Sequence, residues 1–532
     1  MTRPRHPLTH LMKPPMTHPM THALMRTLGM ALIAVVAALA SVAAQAAPDD
    51  AAGATTPAAV GLVVVDQAAL RAAPRDTAPL HLPLWRGEAM QLRGVSGDWV
   101  QVWDPRRERG GYLRAAQLMP LPTGPEAVPE LAAQLRLLRQ WPGAEALGIG
   151  LAAALIERAS APWLASPAGA EMLDTLVQLN DRLALRVQTA TGTQQAVAAA
   201  HAEVAQRYGF ALRSVPRADG SVQPCAAQQP AVLLRGHPAA TAAQQARAAL
   251  ALTRSDCLSA DALPSQRRAV LEQHAAWLDG LPHTALAPVE RNRLLLRRAS
   301  VLASLAFLQR DGDAQASATQ AHAAWSQLIA QALAPEDAPA VRDAAVRLSP
   351  TRWLLQPATD AVQRGRYALR LEAGGPGETC LVLRHDAAAA TTPRCSHGRI
   401  HLASTRLAPD GSAVVLNVQV LEGWTELWRL DAHGRLDVLP PSSDTPGLGA
   451  VEWAGWVTAK ASVKDSAPAS GKDSLQMLVA READAGGRTL RRFEVYAFDL
   501  LQPTRWVGDP QLLTAFQRSA DAGWRSSSTI VR

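Results

Sequence analysis

The stretch Gly97-Asp-Trp-Val-Gln-Val-Trp103 decides how the N-terminal part of the chain folds. Gly97-Asp98 is a tight-turn signal, and the five residues after it alternate, with valine at every second position. This alternation predicts a strand with two unlike faces, one of which packs into a core. Short runs on both sides, separated by turn signals at Pro74, Gly87 and 109–111, bring the prediction to five strands that form a small β-barrel over 60–119. These runs are Gly61–Val65, Ala89–Arg93 and Gly111–Arg114.

Four motifs in this region resemble those of the bacterial SH3 (SH3b) family. Leu70-Arg-Ala-Ala-Pro74 is similar to the family's Val-Arg-x-Gly-Pro start, and Arg86-Gly87 to the glycine after its second strand. Gly97–Val102 matches its Gly-x-Trp-x-x-Val hairpin, and Gly111-Tyr-Leu113 resembles its Gly-Tyr-Val ending. The order and spacing agree over about a tenth of the chain, with alanine at position 73 and leucine at 113 as departures. The resemblance implies an accessory module that binds peptidoglycan stem peptides or other extended ligands, without catalysis.

The candidate ligand-binding residues lie where the hairpin closes. Trp103 and Tyr112 end strands beside a polar loop that holds Arg106, Arg107 and Arg109. Aromatic rings next to guanidinium groups form a groove suited to peptide carboxylates. A structural role for the two aromatic residues is an equally open alternative, and Trp99 is expected in the core.

A Pro-rich linker, residues 120–128, leads into an all-α domain predicted over 129–349. Leu, Ala and Val recur there at helical spacing, and Pro, Ser or Thr marks several helix starts. The pattern leaves a helical bundle and an irregular solenoid open. Residues 210–215 and 232–235, on either side of Asp219-Gly220, predict a small hairpin. The helical segments are Pro129–Trp141, Ala144–Arg158, Ala168–Arg186, Gln194–Tyr208, Ala239–Arg254, Pro264–Leu281, Pro288–Gln309, Ala314–Leu333 and Pro339–Leu348.

Residues 350–532 predict a C-terminal antiparallel β domain. Leu407–Leu416 and Glu426–Arg435 are similar to the blade repeat of TolB-type β-propellers, with glycines where tight turns need positive φ. The nine or ten strands expected there are too few for a closed propeller of four blades. We therefore expect a partial, propeller-like stack of two or three sheets on the helices, and a multidomain α+β protein as a whole.

The first 47 residues predict a signal peptide. Arg26 precedes the apolar run 28–44, and Ala44 and Ala46 fit the A-x-A site of signal peptidase. The mature chain is then periplasmic or secreted and has no stable membrane span. An uncleaved single-pass anchor stays open as the alternative.

Export places the four cysteines in an oxidising compartment, where disulfide pairing is the rule. Proximity along the chain favours the pairs Cys225–Cys257 and Cys380–Cys395. The rival interpretation is a metal site, because His385, His397 and His401 lie near the second pair. Their spacing lacks the paired C-x2-C pattern of structural zinc, so no metal is predicted.

The net charge of +7 does not indicate nucleic-acid binding. Four basic and no acidic residues precede residue 47, which leaves +3 on the remainder, and the arginines there are scattered. Scattered arginine does not form a stripe that follows phosphates. The chain also lacks the nucleophile-elbow, S-x-x-K, H-E-x-x-H and Walker motifs, so we predict no catalytic residue and no cofactor.

These observations predict a non-enzymatic exported protein of the cell envelope. Its SH3b module would bind cell-wall peptide or protein ligands, and its helical and β domains would serve protein interaction. Peptidoglycan and envelope proteins are the expected partners. The alternative is an accessory or catalytic cell-wall hydrolase whose active site has no recognisable motif.

Overall fold

The computed structural model describes residues 59–531, apart from 218–219, 310–311, 387–388, 444–446, 458–474, 486–487 and 509–515. The predicted signal peptide, residues 1–47, lies outside the described residues. The described chain is mixed α/β, with a sheet-rich N-terminal region, a helical middle region and antiparallel sheets at the C-terminal end. The coarse part of the predicted architecture is therefore confirmed.

The N-terminal region is one antiparallel sheet of seven strands instead of the five predicted. The strands are Val60–Val63 (β1), Ala68–Arg71 (β2), Leu80–Leu84 (β3), Ala89–Ser96 (β4), Trp99–Asp104 (β5), Arg109–Arg114 (β6) and Leu118–Pro120 (β7).

The strand order across the sheet is β3-β2-β6-β5-β4-β1-β7. The sequence pattern missed β3 because Pro83 interrupts it, but β3 is an edge strand, where a missing N–H costs no ladder hydrogen bond. The turn predicted at 109–111 is wrong, since those residues begin β6.

Strand alternation separates the two faces of this sheet. Val102 and Leu113 point into an apolar core formed by residues of all seven strands. Gly111 is needed there, because a Cβ at this position would lie 2.8 Å from the carbonyl oxygen of Arg71. Trp99 lies on the opposite face, yet it is buried because the Arg114 guanidinium covers its ring at 4.5 Å.

The middle region contains helices at all nine predicted places and two further short ones. The predicted strand at 232–235 is wrong, since these residues end a helix and the hairpin pairs β8 (Arg213–Pro216) with β9 (Val222–Cys225). The helices are Ala127–Leu138 (α1), Glu145–Arg158 (α2), Ala161–Leu164 (α3), Pro167–Thr189 (α4), Thr193–Arg207 (α5), Gln229–Arg235 (α6), Ala242–Leu252 (α7), Pro264–Leu278 (α8), Pro288–Leu308 (α9), Asp313–Ser326 (α10) and Ala338–Leu348 (α11).

Two long helices organise the apolar packing of this region. α4 contributes Leu176, Leu179 and Leu183 to a core shared with α1, α2 and α7, and Leu62 of β1 extends this core into the N-terminal sheet. Gly148 of α2 lets the helices approach closely, because a Cβ there would lie 2.7 Å from the Leu179 side chain. α9 is the centre of a second core with α7 and α8.

The C-terminal region contains twelve described strands, more than the nine or ten predicted, arranged as three antiparallel meanders of four strands each. The first meander is a separate sheet, and a short parallel contact of Trp424 and Thr425 with Gly449 and Ala450 joins the other two. The strands are Ala361–Arg364 (β10), Tyr367–Ala373 (β11), Thr379–His385 (β12), Arg394–Ser396 (β13), Arg399–Leu407 (β14), Ala413–Leu421 (β15), Trp424–Asp431 (β16), Leu436–Leu439 (β17), Gly449–Val457 (β18), Gln476–Ala485 (β19), Arg488–Ala497 (β20) and Gln502–Val507 (β21).

The meanders are stacked in chain order. One apolar cluster lies between the first and second meanders and another between the second and third. The outer face of the third meander packs against Val346 of α11 and against Trp524, Ile530 and Val531 from the end of the described chain. Trp524 lies in a helix, Ala522–Ser527 (α12), and Ile530 and Val531 follow it.

A buried carboxylate joins the helical region to the third meander. Glu452 of β18 is fully buried and accepts two hydrogen bonds from Arg352, at 2.8 and 2.9 Å. Its oxygens also accept from Ser349 Oγ at 2.7 Å, Trp524 Nε1 at 2.8 Å and Ser528 Oγ at 2.9 Å. Burial alone would raise the pKa of Glu452, but the charge and hydrogen bonds of Arg352 and the two serine hydroxyls lower it below its ordinary value. The Glu452 carboxylate is therefore charged, and hydrogen-bond donors satisfy both of its oxygens.

We expect Glu452→Gln to destabilise the protein strongly, because it leaves the buried Arg352 guanidinium without a counter-charge. The free energy of unfolding should fall by about 3 kcal/mol or more. Urea unfolding measures this loss, with the more exposed Glu378→Gln as the control. A loss as small as that of the control would contradict the role assigned to Glu452.

Burial of His322 is expected to make the free energy of unfolding fall at acid pH. Its Nε2 lies 3.1 Å from Thr351 Oγ1, and burial, together with the charge of Arg352, lowers its pKa from 6.5 to about 4. The unfolded chain therefore binds this proton more readily, so stability present above pH 6.5 is lost as the pH falls towards 4. We expect His322→Gln to show a smaller difference in urea midpoint between pH 7 and pH 4.5. The exposed His433→Gln should leave the difference unchanged, and an unchanged difference in both variants would contradict the assignment.

Candidate functional site

The predicted binding residues lie on the hairpin of β5 and β6. Asp104 sets the turn between the strands, because its Oδ1 accepts the backbone N–H groups of Arg106 at 3.0 Å and Arg107 at 3.3 Å. Glu108 completes the turn with a positive φ of 49°. The turn thus holds the backbone of Arg106 and Arg107 close to the Asp104 carboxylate.

Trp103 and Tyr112 share the outer face of the hairpin. In the strand register Trp103 lies opposite Gly110, and Gln101 lies opposite Tyr112. A Cβ at position 110 would be 3.3 Å from the Trp103 ring, so glycine lets the ring pack against the backbone. Both aromatic side chains are half-buried and each keeps part of its surface in solvent.

The three predicted arginines are not grouped around these aromatic residues. Arg107 donates to Glu88 at 2.7 and 3.2 Å and to Asp104 at 2.6 Å. Arg106 donates to the carbonyl oxygen of Arg207 at 3.0 Å, at the end of α5. Arg109 is exposed and lies opposite Asp104 in the ladder, so its side chain leaves the strand on the other face from Trp103. Arg106 and Arg107 thus take part in contacts within the protein.

Two other arginines, which the sequence pattern does not indicate, lie on the same face as Trp103 and Tyr112, the aromatic face. Arg71 of β2 is the ladder partner of Tyr112, and its Nη1 donates to the carbonyl oxygen of Ala78 at 2.9 Å. Arg114 covers Trp99 and forms an exposed ion pair with Asp76. Only the pairing of β2 with β6 brings Arg71 to this face, so the local sequence gave no signal for it.

The cluster around Glu88 is a polar contact between the N-terminal sheet and the helical region. Glu88 is buried, and its carboxylate receives Arg107 from the sheet and Arg207 Nη1 from α5 at 3.0 Å. Beside it the Tyr208 hydroxyl donates to the carbonyl oxygen of Gly87 at 2.7 Å, and burial raises the pKa of Tyr208 to about 12. This contact holds the sheet in a fixed position on α5.

A second polar chain reinforces the same contact. Asp66 is hydrogen-bonded to His201 Nε2 of α5 at 2.5 Å, and His201 Nδ1 lies 3.0 Å from Arg186 Nη2. Burial raises the pKa of Asp66, but the hydrogen bond and charge of His201 and the charge of Arg86 outweigh it, so the pKa lies below its ordinary value. Arg186 in turn pairs with Glu145 of α2.

Both predicted disulfides are formed, Cys225–Cys257 and Cys380–Cys395. The second occupies both sulfurs of the alternative metal cluster. His385 packs against Tyr367 at 4.7 Å between ring centroids, and His401 against Trp353 at 4.8 Å. Burial of His401 lowers its pKa to about 3. Within residues 59–531, outside the stated gaps, no three His, Cys, Asp or Glu side chains are grouped as metal ligands.

Comparison of the chain with protein-family models, curated proteins and solved structures finds no match. None of the helices in the described part of the chain has both the length and the apolar composition needed to cross a membrane.

We expect Glu88→Gln to weaken the contact between the N-terminal sheet and α5, because two arginines lose their shared carboxylate. A loss of about 2 kcal/mol in the free energy of unfolding is expected, with earlier proteolytic cleavage in the segment 121–126 between β7 and α1. Glu108→Gln, in the exposed turn of the same sheet, is the control for urea unfolding and limited proteolysis. Identical behaviour of the two variants would contradict the docking role of Glu88.

Proposed function

We propose that this is an exported, non-enzymatic cell-envelope protein, periplasmic or secreted, whose N-terminal sheet is an SH3b-type barrel that binds cell-wall peptide or protein ligands. The observation that carries the proposal is the outer face of the β5–β6 hairpin. Trp103 and Tyr112 lie there half-buried, with Arg71 beside them. Contact with the helices uses other residues, among them Leu62 and Glu88. The aromatic face thus forms a surface distinct from the docking contact.

The chemistry of this face suits an extended peptide that carries carboxylates. Aromatic rings provide apolar contact at small entropic cost, and guanidinium groups bind carboxylates with charge-assisted hydrogen bonds. Arg114 can exchange Asp76 for a ligand carboxylate, because Asp76 is 67% exposed and surface ion pairs contribute little to stability.

Two features support a location outside the cytoplasm. The apolar run 28–44 with its A-x-A exit fits an export signal. Both cysteine pairs are disulfide-bonded, which is the usual state in an oxidising compartment. For the helical and C-terminal regions we propose protein interaction, since Trp141 and Trp506 are each 63% exposed.

Sedimentation with insoluble peptidoglycan sacculi tests the proposal. The mature full-length protein should pellet with the sacculi, and the double variant Trp103→Ala/Tyr112→Ala should bind at least about tenfold more weakly, because the ligand loses its aromatic contacts. Trp506→Ala removes an equally large exposed aromatic residue elsewhere and should pellet like the wild type.

The supernatant of the same experiment distinguishes binding from hydrolysis. No soluble muropeptides are expected. Released muropeptides would overturn the non-enzymatic proposal in favour of a hydrolase. Equal pelleting of the double variant and the wild type would show that the aromatic face is not the binding surface.

A further inference from the structure

His81 of β3 lies at the border of the aromatic face, where a β-bulge places it. The ladder between β2 and β3 pairs Leu70 with Leu82 and Arg71 with Leu80, so His81 is the extra residue between the two pairs. Leu70 and Leu82 pack in the core of the sheet, so the alternation of side chains puts Arg71 on the aromatic face. His81, next to Leu80 and opposite Arg71, is exposed beside it.

The imidazole of His81 reaches the hairpin that carries the aromatic residues. Its Nδ1 lies 3.2 Å from the carbonyl oxygen of Gly110 in β6. Gly110 is the ladder partner of Trp103, and a Cβ at position 110 would be 3.3 Å from the Trp103 ring. His81 and Trp103 therefore both pack against the same glycine, so one short segment of ligand can contact both side chains.

The contact with Gly110 defines which nitrogen of His81 is left for a ligand. A carbonyl oxygen only accepts hydrogen bonds, so Nδ1 carries a hydrogen and donates it to Gly110. In the neutral ring Nε2 is then an acceptor, and no group in the described part of the chain donates a hydrogen bond to it. Protonation turns Nε2 into a donor for a carboxylate, and imidazole groups exchange this proton between about pH 5 and 8.

The charges around His81 are mainly positive. Six arginines and three carboxylates lie on β2, β5, β6 and the segments 72–79 and 105–108. Asp76 pairs with Arg114 and Asp104 with Arg107, and among the described residues no carboxylate lies within ion-pair distance of His81. A proton on His81 is therefore disfavoured in the free protein and is stabilised when a ligand carboxylate binds. The charged and titratable side chains of these elements are Arg71, Arg75, Asp76, Asp104, Arg106, Arg107, Glu108, Arg109, Tyr112 and Arg114.

We propose that His81 and Arg71 form the carboxylate-binding end of the aromatic face, and that protonation of His81 strengthens binding in acid; the inference rests on the proposed function of that face. Trp103 and Tyr112 supply apolar contact, Arg71 supplies a permanent charge, and His81 supplies a charge that depends on pH. An acidic peptide should therefore bind most tightly below about pH 6. Its own carboxylates titrate near about pH 4, so they stay charged in this range.

Sedimentation of the mature full-length protein with insoluble peptidoglycan sacculi, at about pH 5.5 and about pH 8, tests the charge on His81. The wild type should bind about fivefold more tightly at the lower pH, where the imidazole is protonated. His81→Gln is neutral at both pH values and should bind at both with the weaker affinity of the wild type at the higher pH. His81→Lys stays positively charged and should bind at the higher pH about as tightly as the wild type does at the lower one.

Two controls separate His81 from general effects of pH. His433→Gln removes an exposed histidine of the C-terminal region and should keep the pH dependence of the wild type. Sacculi whose carboxylates have been amidated should bind the wild type more weakly and equally at both pH values, because the ligand no longer carries the charge that His81 recognises. Thermal unfolding checks that each variant folds, and the comparison of the two kinds of sacculi needs no variant at all.

The possible failures are distinguishable. If the wild type binds sacculi but His81→Gln shows the same ratio of affinities between the two pH values, the role of His81 is overturned and the proposed function of the aromatic face stands. Weaker binding of His81→Lys than of the wild type at the higher pH would overturn the role of the charge in the same way. If the wild type pellets at neither pH, the proposed function falls, and this inference falls with it.

Discussion

The assembly of the C-terminal half depends on one buried ion pair, Arg352 with Glu452. Removing both charges from water is costly, and the pair is tolerated only because further donors satisfy the carboxylate. Those donors come from distant parts of the chain, Ser349, Trp524 and Ser528. The third meander, the turn after α11 and the terminal segment must therefore be in place together, because a missing partner would leave a buried charge exposed to an apolar environment. A partly formed site is therefore unfavourable, because it would leave a charge buried without its full set of partners.

The contacts between regions follow two different physical rules. The three meanders stack mainly through apolar side chains, which tolerate small shifts in packing. The N-terminal sheet contacts α5 through Glu88 and Asp66, each of which requires partners at hydrogen-bond distance. The polar contact fixes orientation, and it determines which surface of the sheet is left for a ligand. Arg106 and Arg107 serve this contact, so the proposed binding surface rests on Trp103, Tyr112 and Arg71.

In the proposed function, the hairpin face combines the aromatic area of Trp103 and Tyr112 with guanidinium groups, which suits an extended ligand that carries carboxylates.

The sequence by itself determined the features that rest on local spacing. Helical periodicity located every long helix, alternation located the hairpin that bears Trp103 and Tyr112, and proximity along the chain identified both disulfides. Tertiary structure alone decided that 232–235 is helical, that β3 forms despite Pro83, and that Arg106 and Arg107 turn towards α5. It also decided the roles of Glu452 and Glu88. The reason is physical: a side chain's partner is set by which elements meet, and here Arg352 lies 100 residues from Glu452 along the chain, and Arg207 is at least as far from Glu88.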